Sequence, residues 1–498
     1  MIAANQFALN HMNPTNLKIT ALFAQMQTLF SFKGMANFGW MIRGASGRRV
    51  SQLTRFGKYT FVTIYVLGSL GCQRGELKEN SPTSFRQGKV IGASMAPHFL
   101  GEHFQVQCEG CGGEVVADFE QSKTNESLIC PFCGIPNSVS ECRRQASDRV
   151  TIELDSNSLS RWDVVAFQLP SAQEAGVKRV VGLPGESIEI RDGNLWLEGG
   201  LIRKTIAEQK RTRILIHDSS KTNSETALWQ AVDSNGVRLD RAEHRFESGD
   251  FVLDSKAASS ELQWFEFCNQ RNYARKTDLN SAGGEKILAW PIEDNYGYNQ
   301  SLWRNLNVVD EIFVSLGFST TGIRRVGWKY ELGDRTYSFE IDVVGRELAI
   351  TVLGDSAQKR IGQYALAEGI FGDPETEVEF STIDRLAVVL IGGIEVAQFE
   401  LEAPVRVLPK SEPMSARLFQ IGAVGKAGVG EDRLLGRVRI WRDIYYSPSQ
   451  ENNGESQLLI GAPDGFLLLG DNQPVSIDSR HWPNASVPSE QLIGKVLK

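Results

Sequence analysis

Lys178-Arg179-Val180-Val181-Gly182-Leu183-Pro184-Gly185-Glu186 is the most specific stretch of this chain. Two cations open a β-branched apolar run, and Pro-Gly closes it. The stretch therefore reads as a strand that ends in a tight turn. Val177, Val180, Val181 and Leu183 give Lys178 an apolar setting. Strand-like text continues on both sides. Val150–Leu154 and Asp163–Phe167 come before it, and Ser187–Gly193 and Leu195–Gly199 come after, separated by Gly, Pro and Asp.

Three more segments carry chemistry. Gly92-Ala93-Ser94-Met95-Ala96-Pro97 places a serine in a turn between two strands. Arg161-Trp162-Asp163 opens the strand through Phe167. Gly470-Asp471-Asn472 is followed by Ser476, Asp478, Ser479 and Arg480, and then by Val487-Pro488 and Ile493–Val496. Each is weak alone. In this order, the four resemble the conserved boxes of type I signal peptidases (leader peptidases), over residues 86–205 and 460–498.

That resemblance implies a Ser–Lys dyad, with Ser94 as nucleophile and Lys178 as general base. A serine hydroxyl attacks poorly until a base takes its proton, and a lysine is a known alternative to histidine in that role. Free lysine titrates near 10.4, so only about one in 2,500 is neutral at pH 7. Lowering that value to about 8 takes roughly 3 kcal/mol, which burial among apolar groups supplies. Arg179 stays protonated and cannot serve. The resemblance also gives the Ser94 backbone N–H to an oxyanion hole. Gly92 stands where some relatives add a hydroxyl. Met95 and Pro97 shape the turn, Ser476 orients Lys178, and Asp478 with Arg480 forms a supporting ion pair. Catalysis needs no cofactor. Trp162 departs from the family, which usually carries Gly there. His98-Phe99-Leu100 replaces a usual Thr-Leu, and Pro483 stands where Gly is common.

Cys108-x-x-Cys111 and Cys130-x-x-Cys133, with Gly110, Gly112 and Gly134 in or after the knuckles, have zinc-ribbon spacing. Four thiolates would close a structural zinc site with no open ligand position. A four-sulfur iron site and two disulfides are the alternatives. Cys72, Cys142 and Cys268 are left over.

The net charge of −7 argues against a general nucleic-acid binder. No run of 18 apolar residues suggests a standard spanning helix. Tyr59–Gly71 is a short uncharged run behind Arg48, Arg49, Arg55 and Lys58, the layout of an export signal or anchor. It reads alternatively as a buried strand or core helix. As a signal it sends the rest of the chain across an inner membrane, with catalysis on the extracytoplasmic side. Gly71-Cys72 also resembles a lipid-attachment site.

The expected fold is mainly β. A signal-peptidase-like catalytic unit (86–107, 143–205 and 459–498) carries a zinc-ribbon insert at 108–142. A β-sandwich or jelly-roll-like insert spans 206–458. Residues 1–58 show no readable structure, and 59–72 form the signal or anchor. In the middle region Tyr337, Phe339, Ile341 and Val343 alternate with polar residues, and Gly392-Gly393 sits between two apolar runs as a hairpin turn. Trp229, Trp264, Trp290, Trp303 and Trp328 belong in a sandwich core or on a peptide- or sugar-binding face. The expected activity is removal of amino-terminal signal peptides from exported preproteins. Substrate would bind as an added strand, with small residues at the first and third positions before the cut. The rival readings are a self-cleaving repressor-type Ser–Lys protease and an envelope binding or scaffold protein on an inactive peptidase fold.

Overall fold

The computed structural model describes residues 85–498, apart from 155–158, 170–173, 222–228, 234–244, 248–249, 253–260, 270–290, 303, 355–357, 403–418, 427–432 and 450–455. The chain divides into two units, Met1–Lys78 and Glu79–Lys498, and the first lies outside the described residues. The export signal, Cys72, Trp290 and Trp303 are therefore outside them too. Among the described residues no helix is long and apolar enough to cross a membrane.

The architecture is mainly β. A seven-stranded antiparallel sheet takes its strands from both halves of the sequence. Its order is Phe85–Lys89, Arg149–Glu153, Leu492–Leu497, Val164–Phe167, Gly176–Gly182, Gly465–Leu469 and Ser486–Pro488. The Lys178 strand lies inside this sheet, between Val164–Phe167 and Gly465–Leu469. Its residues from Arg179 to Gly182 are all buried, which is why the text reads as a continuous β-branched run rather than an alternation. A four-stranded sheet follows, of Gly200–Leu201, Asn194–Leu197, Ser187–Arg191 and Ser456–Ile460.

The middle region is a sandwich of two larger sheets around one core. Arg335–Asp342 shows how the text makes it. Tyr337, Phe339 and Ile341 are buried, whereas Ser338, Glu340 and Asp342 are half-buried, the period of two that puts alternate residues on opposite faces. Phe339 stacks on Trp328 with ring centroids 5.2 Å apart and packs on Phe380 of the facing sheet at 4.6 Å. Trp229, Trp264 and Trp328 are buried. Gly392 and Gly393, at φ 57° and 79°, make the expected hairpin turn between Leu386–Ile391 and Ile394–Glu400.

The cysteine pairs lie on a small three-stranded sheet, Glu114–Asp118, His103–Gln107 and Arg143–Gln145, with a two-stranded ribbon of Ser127–Ile129 and Pro136–Ser138. Its strands begin before Cys108 and end after Cys142. Spacing between cysteines marks knuckles, whereas strand pairing reaches outward from them.

Candidate active site and cysteine centre

The first sheet delivers its edge strand into the turn that carries Ser94. Gly92 opens that turn with φ 79°, a left-handed backbone that side chains disfavour. The backbone of Gly101 packs so closely behind it that a Cβ there would lie 2.7 Å from the Gly92 oxygen. Met95 is buried beneath, with Phe99, against Val150, Val164 and Val496. Ser94 itself is half-exposed. The turn is held from across the molecule. Asn472 donates its backbone N–H to the Ser94 oxygen at 3.0 Å and its amide to the Ala93 oxygen at 2.9 Å. Gly470 passes so near that a Cβ would come 2.5 Å from the Ser94 oxygen and 2.2 Å from Ser476 Oγ, so only glycine fits.

Ser94 and Lys178 line one cleft of about 440 Å³ with Gly92, Gly176, Ile477 and Trp482. Lys178 is 5% exposed. Its burial lowers the ammonium pKa to about 8; Asp478 and Asp471 oppose that shift and Arg480 reinforces it. Arg179, the next residue, points to the opposite face of the strand. Its Nε and Nη2 donate to Asp471 at 2.7 and 2.5 Å, and its Nη1 donates to the Trp162 oxygen at 2.8 Å. Neighbouring residues thus take two jobs: one amine made weakly basic, one permanent cation used as a clamp.

Asp471 is buried, which would raise its pKa, but the Arg179 guanidinium and His98 hold it well below the ordinary carboxylate range. His98 Nδ1 lies 2.8 Å from Asp471 Oδ2, and its Nε2 lies 3.1 Å from the Arg213 oxygen. His98, four residues after Ser94, therefore pairs with Asp471. Both ring nitrogens face other partners, which leaves neither for the serine. Asp478 receives Arg480 at 2.8 Å through both Nε and Nη2, and the Gly470 N–H at 3.0 Å. Ser476 Oγ is buried and makes no hydrogen bond.

Trp162 explains its own departure. Its φ is 73°, the left-handed conformation for which glycine is the natural choice. The strain is held by burial to 2% exposure, by a ring contact with Tyr446 at 6.3 Å, and by its N–H donated to the Val180 oxygen at 2.8 Å.

The four cysteine sulfurs all lie within 4.8 Å of one another. Cys108 to Cys133 is 3.5 Å and Cys111 to Cys130 is 3.7 Å. Four thiolates on one tetrahedral zinc, at about 2.3 Å each, stand about 3.8 Å apart, whereas a disulfide needs about 2.05 Å. The two knuckles are alike. Cys108 and Cys130 donate N–H to the oxygens of Gly113 and Ile135, and Gly112 and Gly134 turn the chain at φ 73° and 75°. The N–H groups of Gly113 and Phe132 lie 3.4 Å from the sulfurs of Cys111 and Cys130. The donor set fits a metal held by four thiolates.

Glu311, Asp384 and Asp443 form the other group with metal-ligand reach among the described residues. There Lys204 Nζ already sits 2.6 Å from Asp384 and 2.8 Å from Asp443, so an ammonium fills the cation position. Burial and the two neighbouring carboxylates push Glu311 up to about 8.

Two residues of this site escaped the motifs because they stand in the middle region. Tyr296 donates its hydroxyl to the Asp471 oxygen at 2.7 Å. Asn299 and Asn472 exchange side-chain amide hydrogen bonds of 2.7 and 2.9 Å. No spacing or composition signal marked them.

Residues 132–256 match the family model for signal peptidase, peptidase S26. That match supports membership of the signal peptidase family. The signal-peptidase match takes in Lys178 and Arg179; Ser94 and Asp471 lie outside its limits. It also runs past residue 205, into what the motifs left to the middle region. No curated protein matches the chain. Among solved structures, the galectin LEC-6 of Caenorhabditis elegans is 11% identical, over 26% of this chain and 81% of its own, with a TM-score of 0.19. Sheep galectin-11, in complex with glycerol, is 12% identical over 28% and 94%, with a TM-score of 0.20. The carbohydrate-binding module CBM66 from Bacillus subtilis is 10% identical over 43% and 92%, also at 0.20.

Proposed function

We propose that this chain is a membrane-associated serine endopeptidase that removes signal peptides from exported preproteins by Ser–Lys catalysis. The observation that carries the reading is a lysine, 5% exposed and with its pKa lowered to about 8, in the cleft of a serine turn. Lys178 takes the Ser94 proton as the hydroxyl attacks the scissile carbonyl, then returns it to the leaving amine. Ser476, whose buried hydroxyl has no other hydrogen-bond partner, is the group proposed to turn onto the amine and orient it. The Ser94 N–H stabilises the oxyanion. Asp478 with Arg480, and Arg179 with Asp471, keep these parts in register. The peptide lies as an added strand along the cleft between Gly92 and Gly176. The Cys108, Cys111, Cys130 and Cys133 thiolates hold a structural zinc, which supplies no step of the reaction.

The test is cleavage of a preprotein by purified protein beside its Ser94→Ala, Lys178→Ala and Lys178→Arg forms. All three are expected to be inactive and folded, the last because arginine stays charged. More than a tenth of the unaltered rate in any of them would sink the dyad. Full peptide binding without any cleavage by the unaltered protein would favour the scaffold reading instead.

A further inference from the structure

The segment from Ile292 to Leu302 belongs to the middle region in sequence, yet it touches the two centres described above. Toward the serine, Asn299 and Asn472 exchange their amide hydrogen bonds, and Asn472 in turn holds the oxygens of Ala93 and Ser94. Toward the cysteines, the Gln300 amide bridges one residue's backbone as a strand would. Its Oε1 accepts the Ile129 N–H at 2.8 Å, and its Nε2 donates to the Ile129 oxygen at 3.1 Å. Ile129 directly precedes Cys130. Gly297 passes so close to the second knuckle that a Cβ would lie 2.7 Å from Pro131 Cβ. Tyr298 accepts the Asp118 N–H at 3.0 Å from the same small sheet.

We infer that Asn299 is a positioning residue for the nucleophile turn, and that Gln300 beside it ties that turn to the cysteine centre. The route is continuous: Cys130, Ile129, Gln300, Asn299, Asn472, Ser94. Every link is a covalent neighbour or a hydrogen bond of 3.1 Å or less. A side-chain amide holding both backbone groups of one residue has one seating. If the knuckle opens, Ile129 leaves that seating and the Asn299–Asn472 pair loses its support. The four-cysteine centre would then govern the serine without approaching it. This inference rests on the reading of Ser94 as nucleophile and of the cysteines as metal ligands.

Amide hydrogen exchange on the full chain tests it, because it reads the turn independently of catalysis. Stripping metal from the unaltered protein with a chelator under reducing conditions should speed exchange in residues 92–100 and 470–473, as well as in 108–142. Gln300→Ala should already exchange faster in 92–100, and stripping it should add little, the non-additivity expected of residues on one path. In cleavage assays Asn299→Ala should lower kcat about ten- to a hundredfold with KM about unchanged, as misplaced reacting groups do. Unchanged exchange in 92–100 after metal loss overturns the inference, as does a full metal response in Gln300→Ala. If the purified protein holds no metal, unchanged exchange in 92–100 of Gln300→Ala alone overturns it. A Ser94→Ala protein that still cleaves defeats the dyad, while the exchange data still report the coupling.

Discussion

Arg179 and Asp471 form a two-bonded ion pair of 2.7 and 2.5 Å, with 3% and 1% of their side chains exposed. The pair joins the strand of the proposed base to the loop that holds the serine turn. Removing one partner leaves the other charge buried and alone, which costs about 3–5 kcal/mol. Asp471→Asn is therefore expected to lower stability by that order in denaturant unfolding and to reduce kcat as well. Asp471 and Asp478 both titrate well below an ordinary carboxylate. Their stabilisation is complete above the unfolded value near 3.9 and is lost as pH falls toward the folded values. Acid unfolding should begin below about pH 4, and Asp471→Asn should blunt it.

The rate should follow the neutral fraction of Lys178. Below about 8 its ammonium cannot accept the Ser94 proton, and above that value the amine can. The lower limb of the kcat/KM profile is expected near 8, against about 6.5 for a histidine base. A profile flat from pH 6.5 to 9, with chemistry rate-limiting, would exclude Lys178 as the base.

The same lysine should cost the fold stability. Its folded pKa lies below its unfolded value, so below about 8 both states are charged and the folded one carries the full burial penalty. Between about 8 and 10.4 the unfolded state binds more protons, and stability rises with pH. Lys178→Met is expected to stabilise the protein at pH 7 by up to about 3 kcal/mol, a gain that fades above pH 8 and is gone above about 10.5. Denaturant melts at pH 7, 9 and 10.5 check it.

Purified protein should carry about one zinc per chain on its four cysteines, and Cys130→Ser should lose it. Elemental analysis with thiol titration decides the point. A metal-free sample with four oxidised thiols would support disulfides instead.

The parts of this molecule that were legible in sequence are those with a local cause. The alternation around Phe339 marks a half-buried strand, and Gly392-Gly393 marks a turn that needs two positive φ values. Lys178 in its valine-rich stretch announces a cation in an apolar place. What stayed hidden has no local cause. Asn299 and Gln300 look like loop residues, because the groups they bond to lie 173 and 171 residues away in the chain. His98 meets Asp471 only through the packing of two turns. Trp162 takes a glycine conformation because buried neighbours enforce it, and no propensity would suggest that. The reach of the small sheet to His103 and Arg143 likewise depends on pairing that cysteine spacing does not encode.

The Ala93 oxygen and the Asn472 amide that holds it are 379 residues apart in the chain. A ribosome releases the serine turn long before the loop that shapes it exists. Over that interval the nascent chain carries a hydroxyl whose turn is not yet held from across the fold. Only when the Gly465–Leu469 strand and the loop after it emerge and pair can the cleft close around its lysine. The order of the chain thus acts as a timer: on the proposed reading, the serine stays idle until the strand and loop that complete its cleft have been made.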